Sequence, residues 1–233
     1  MSTTVHNRGI RRIAAGIGLI GFPALLVVQG PIDPTDDTTF YAAAVGHPDA
    51  LAYSAVLLLV SAVLTVPAIG GVLHMARDRG AILADLGAVF TLLGALGHTA
   101  LAVIYLMMRS LAGGAPAEMD AFEGRFAADP ATGAVGMVLL VSFGLGLTLL
   151  SWASWRAGLI GWWGPILITG IVLVHNFYPG DVPTVVEAGA LLVIAVVFGW
   201  LGVRVLATSN DEWNAPVPST SPSERPSSTS VAR

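Results

Sequence analysis

The sequence predicts an all-α protein: a polytopic membrane helix bundle with six transmembrane helices and both termini cytoplasmic. Three observations carry this reading. Of 233 residues, 55% are hydrophobic and only 11% are charged, against about 25% charged in a soluble domain. The mean hydropathy is +0.75. Six separate runs are long enough to cross a hydrocarbon core of about 30 Å, which takes ~20 apolar residues per helix. The arginines sort to one side of those runs. The same figures exclude a soluble globular enzyme, a disordered chain and a nucleic-acid binder, since no basic patch exists. With no Cys there is no disulfide framework, thiolate catalysis or zinc–sulfur site.

The expected spans are 13–29, 52–75, 81–108, 133–155, 159–178 and 182–206. The first is the shortest and carries Gly16, Gly18, Gly21 and Pro23. Arginines precede it as in a signal peptide, but no clean small-x-small cleavage site follows, so it reads as a retained helix. None of the runs alternates with period two, so a β-barrel is rejected. With the N-terminus inside, Arg8, Arg11, Arg12, Arg77, Arg79, Arg156, Arg204, Arg225 and Arg233 are cytoplasmic. Only Arg109 and Arg125 are external. The acids Asp33, Asp36, Asp37, Asp49, Glu118, Asp120, Glu123, Asp129 and Asp181 fall outside.

The connections fit this plan. Residues 76–80 form a tight inner turn, and Trp152, Trp155, Trp162 and Trp163 make an interfacial belt around the Arg156 turn. Tyr178, Pro179, Gly180 and Asp181 read as the turn between helices five and six. In the outer loop 30–49, Asp36 or Asp37 is placed to cap a short helix over 38–45. In the outer loop 110–132, Pro116 opens a helix that would present Met119, Phe122 and Phe126 to the membrane surface. These loops are either plain interfacial loops or an outer lid. The chain divides into an N-terminal segment 1–12, a transmembrane domain 13–207 and a disordered cytoplasmic tail 208–233, rich in Ser, Pro and Thr. No internal repeat suggests an alternating-access carrier.

Ionisable groups at membrane depth are costly and therefore informative. The candidates are Asp85 and His98 on the third span, His175 near the outer end of the fifth, and Glu187 one turn into the sixth. His175 lies five residues before Gly180 and Glu187 seven after, so an antiparallel hairpin sets them at similar heights. Asn176, Tyr178 and Asp181 share that end. Thr91, His98 and Tyr105, spaced by seven, share one face of the third span, with Gly94 and Ala102 beside it. If the third, fifth and sixth helices are neighbours, these groups floor an apolar pocket open to the outer leaflet. The plainer alternatives are a histidine that bridges helices, and acids placed at helix N-termini.

No Gly-x-Ser-x-Gly elbow or His-Glu-x-x-His helix is present, so hydrolysis lacks a nucleophile or a metal. Acid-initiated cyclisation needs neither. It needs a positioned acid (Glu187), partners to orient it (His175 or Asp181) and aromatic walls for a cation, for which Tyr105, Phe177, Tyr178 and Trp200 are candidates. Thr91 and Asn176 complete the expected substrate contacts, with His98 and Asp85 as further acid–base candidates. A haem between His98 and His175 is set aside because their heights differ by about 10 Å by helical rise. Magnesium on Asp33, Asp36 and Asp37 gives way to caps and a solvated loop, and a divalent ion on His175, Glu187 and Asp181 is likewise set aside. No cofactor or metal is expected.

The segment Leu64–Tyr105, with GGVLHMARDRG followed by LGALGHTALAVIYLMM, resembles a group of small actinobacterial multi-pass membrane proteins, a likeness that covers most of the chain up to about Ala207. The absence of Lys alongside 11 Arg suits a GC-rich genome. In size, bundle and sparse intramembrane acids the chain is more loosely similar to small integral-membrane terpene (meroterpenoid) cyclases. That resemblance implies an isomerase or lyase acting on a prenylated substrate such as a farnesyl-indole, in secondary metabolism. The other expectation is a non-enzymatic protein of the cell membrane that binds a lipidic small molecule or assists a transporter. The expected partners are the bilayer and that lipidic molecule.

Overall fold

The computed structural model describes residues 3–35, 38–177 and 184–215. Its elements are α1 (Thr3–Gln29), a 3-10 turn (Gly30–Ile32), α2 (Phe40–Gly46), α3 (Pro48–Ala76) and α4 (Ala81–Leu111). Then come α5 (Pro116–Ala128), α6 (Pro130–Arg156), α7 (Trp163–Phe177), α8 (Thr184–Ala207) and α9 (Asn210–Asn214). Among the described residues there is no strand. Five helical stretches are long and apolar enough to cross a membrane: Gly9–Ile32, Pro48–Ala76, Ala81–Leu111, Pro130–Arg156 and Val185–Ala207.

The expected fifth span, 159–178, is the shorter α7, which runs for 15 residues, about 22 Å of helix. Its late start has a local cause. Gly158 adopts φ +73° and ends α6. The amides of Ala157, Gly158 and Leu159 turn back to the carbonyls of Ala153, Trp155 and Ser154. Helix resumes only at Trp163, with Pro165 in its first turn, where a missing N–H costs nothing.

The helices form a circuit in the order α8, α1, α3, α4, α6, α7 and back to α8, and the α7–α8 contact is slight. The expected contact between the third and sixth spans is therefore not a main one. α4 is separated from α8 by α3 and α1 on one side and by α6 and α7 on the other. Large apolar residues lie on both the buried and the exposed faces of the spans, so hydropathy does not say which faces meet.

Small residues set the close approaches, as expected where lipid supplies no hydrophobic drive between helices. A Cβ on Gly202 would lie 2.8 Å from the Gly16 carbonyl oxygen, and one on Gly18 would lie 2.6 Å from that of Leu64. Phe22 meets Phe198 edge-on at 5.5 Å across α1 and α8. The Ser61 hydroxyl donates to the Phe22 carbonyl at 3.0 Å. Outward-facing Val63, Ile82, Leu96, Val138 and Val196 stay exposed; such a continuous apolar exterior belongs in a bilayer.

The two connections expected to be outer loops contain helices. α2 and α5 form where turn chemistry predicts helices. The cap of α2 is Thr39, whose hydroxyl accepts from the Ala42 amide at 3.2 Å, whereas Asp36 and Asp37 lie outside the described residues. α5 begins at Pro116 as expected. The expected unstructured tail begins instead with α9. Its Ser209–Glu212 capping box satisfies the first amides in both directions, and Trp213 stacks on His74 at 3.9 Å.

Candidate functional site

α4 and α6 approach closely at one end and part at the other. A Cβ on Gly146 would lie 2.3 Å from the Thr91 amide, one on Gly94 2.4 Å from the Phe143 Cα, and one on Gly97 2.8 Å from the Leu139 Cβ. Further along α6, Gly136 and Gly133 face open space. The divergence leaves a groove of about 630 Å³ beneath α2 and α5. Its walls are Gly94, Gly97, Leu101, Ile104, Leu139 and Phe143, among others. Phe40 of α2 and Phe126 of α5 close over it. Phe126 thus lines this groove, where the sequence suggested the membrane surface.

Polar groups occur at its two ends. His98 lies at depth, its ring 4.4 Å from that of Phe143. The imidazole Nδ1 is buried and has no hydrogen-bond partner among the described residues. A buried polar atom left unpaired is uncommon and calls for an explanation. At the rim, Asp129 caps α6, accepting from the Thr132 amide at 2.8 Å and its hydroxyl at 2.7 Å. These bonds, the hydroxyl's foremost, hold the Asp129 carboxyl below its ordinary pKa.

The roof is tied down by hydrogen bonds. Glu123 of α5 accepts from the Phe40 and Tyr41 amides at 2.7 and 3.1 Å, satisfying the start of α2. The Tyr105 hydroxyl donates to Asp33 Oδ2 at 2.7 Å and lies 3.0 Å from the Thr35 hydroxyl. Asp33 also accepts from the Thr35 amide and hydroxyl, and from Gln29. Both its oxygens are therefore engaged in holding the loop. Among the described residues no group of three His, Asp or Glu could hold a metal.

The other sequence candidates distribute as follows. His175 and Glu187 do meet, with Nδ1 3.8 Å from Oε1, and both are about two-fifths exposed, at 44% and 41%. Asn176 donates to the Val172 carbonyl at 2.9 Å, while its own Oδ1 is buried without a partner among the described residues. Tyr178 and Asp181, and the side chain of Phe177, fall outside the described residues. Thr91 is buried, donates to the Gly87 carbonyl and packs on Gly146. Trp200 is 54% exposed on the outside of α8, away from any described pocket. Asp85 is exposed one turn into α4. The seven-residue stripe of α4 is thus a real buried face, but it meets α6 and the outer loop and not α8. The groove itself is absent from the sequence reading. Its signal was Gly136, one of several glycines on that span, together with a histidine on the facing one.

The opposite end gathers the arginines. Arg12 donates to the carbonyls of Leu206 (2.6 Å) and Thr208 and to Asn210 Oδ1 at 3.1 Å. Arg204 donates to the Leu159 carbonyl at 2.6 Å, and Arg77 to that of Ala215 at 2.7 Å. These cations satisfy carbonyls left open at helix ends. No family model, curated protein or solved structure matches the chain.

Proposed function

We propose that the chain is a six-span protein of the cell membrane, with both termini cytoplasmic, that binds a lipidic small molecule in the α4–α6 groove from the outer leaflet. The observation that carries this is the groove: about 630 Å³, apolar along its walls, roofed by two tethered helices. That volume falls in the range that takes up small ligands. The clustering of Arg12, Arg77 and Arg204 at the far end supports the orientation, because cytoplasmic ends collect arginine. α7, shorter than the hydrocarbon core, spans by local thinning of the bilayer and by snorkelling of its flanking residues. The test is purification in mild detergent, solvent extraction and mass spectrometry. The wild type carries a molecule enriched over bulk lipid, and Gly136→Phe, which fills open space in the groove, loses it. Equal extracts from the two contradict the reading.

A second reading, acid-initiated cyclisation of a prenylated substrate such as a farnesyl-indole, is favoured by the 3.8 Å approach of His175 and Glu187. It ranks lower because that pair is half-exposed and lies on a different pair of helices from the groove. Membranes incubated with a farnesylated indole would yield an isomer of equal mass, and Glu187→Gln would abolish it. An unchanged rate in that variant removes Glu187 from the chemistry.

A further inference from the structure

We infer that the groove's ligand is an uncharged amphiphile that inserts head first, its single hydroxyl or carbonyl hydrogen-bonded to His98. This rests on the reading of the α4–α6 groove as a binding site and names the chemistry it selects. His98 lies near the middle of the 31-residue α4 and lines the deep end of the groove. Its Nδ1 is buried and unpaired among the described residues. A neutral imidazole offers one donor and one acceptor, so a hydroxyl or a carbonyl oxygen completes it equally well. Leaving such a nitrogen unpaired destabilises the fold, and a ligand whose binding turns the ring so that its oxygen reaches the nitrogen removes that penalty.

Charge decides the class. Among the described lining residues the single formal charge is Asp129, at the rim. A phosphate or carboxylate beside His98 would sit at hydrocarbon depth with no cation to pair it. A phospholipid headgroup is thereby excluded from the deep end. From the Thr132 rim to Phe143, opposite His98, α6 rises eleven residues, about 16 Å. The walls between carry no polar side chain beyond Thr132, so that length suits an unbranched or methyl-branched hydrocarbon chain. The ligand is therefore a long-chain or isoprenoid alcohol or ketone.

The test uses the full-length protein in lipid nanodiscs and three photoreactive probes of one chain length: an alcohol, the parent alkane and the carboxylic acid. Each carries a diazirine near the head. The alcohol labels α4 and α6 peptides around His98, the alkane and the acid at least about tenfold less, as loss of a buried hydrogen bond implies. His98→Phe lowers alcohol labelling to the alkane level, and His98→Asn, which keeps a polar partner, restores part of it. Unchanged alcohol labelling in His98→Phe, or strongest labelling by the acid, overturns the inference. If alcohol and alkane label the groove alike, the groove stands as a site and the polar anchor is lost. If no probe labels it while the variants still melt cooperatively, the binding reading itself fails.

Discussion

Glycine does opposite work in two seams of the bundle. Between α1 and α8, Gly16 and Gly202 face each other, and an added Cβ would meet backbone at 2.8 Å. Phe22 and Phe198 then fill the crossing, and both are fully buried. Between α4 and α6, Gly94 and Gly146 seat equally tight contacts, but a Cβ on Gly136, in the groove wall, would have no atom within 4 Å. The first seam is closed at this crossing, and the second opens into a groove. In membrane helices a glycine allows close approach but does not enforce it; what stands opposite decides between packing and cavity.

The largest expected difference between the seams is steric. Gly202→Val forces a branched side chain against the α1 backbone and should cost about 3 kcal/mol. Gly136→Val, in open space, should leave the melting temperature in detergent near that of the wild type. Equal losses would mean that the α4–α6 groove is not open.

The next effect runs in the opposite direction. His98→Phe removes a buried nitrogen that has no partner, so the ligand-free protein should gain about 1 kcal/mol. Thermal unfolding after delipidation checks this. A loss of stability would show that His98 already has a partner within the protein and is a structural residue.

Smaller still is the roof. Glu123→Ala frees the Phe40 and Tyr41 amides at a cost of about 0.5 kcal/mol. Hydrogen exchange should rise in α2 and stay unchanged in α1 and α8. If it rises everywhere, the roof is part of the core and does not open independently.

The smallest effect is a proton. Hydrogen bonds from Thr132 hold the Asp129 carboxyl below the ordinary aspartate value of 3.8. A lowered folded pKa means that the cap's contribution is present above that value and is lost as pH falls through the folded one. An NMR titration of Asp129 should give a midpoint under 3.8, and Thr132→Val should return it toward that figure.

Much of this architecture is legible in the residues taken alone. Hydropathy and length are local properties, so the long spans and the outer helices could be read directly. The His175–Glu187 meeting follows from counting along a hairpin, and the Thr91–His98–Tyr105 face from helical periodicity. The shortening of α7 depends on Gly158 turning left-handed, which apolar content hides. The neighbours of α4 were not legible, because lipid-facing and helix-facing surfaces share one composition. The groove was hidden for the same reason: it depends on which glycine lies opposite a side chain and which lies opposite space. α9 is too short and too polar to stand out from the Ser- and Pro-rich tail behind it.

The chain contains no Cys, so a single introduced thiol reports on one place. Gly136→Cys puts it in the groove, and Val89→Cys, at 56% exposure, puts it on the lipid-facing side of α4. The most direct measurement is the rate at which an apolar maleimide labels each thiol in nanodiscs, with and without saturating long-chain alcohol. Occupancy of the groove predicts that the alcohol slows labelling at position 136 several-fold and leaves position 89 unchanged. Equal rates at position 136 with and without the alcohol would contradict it.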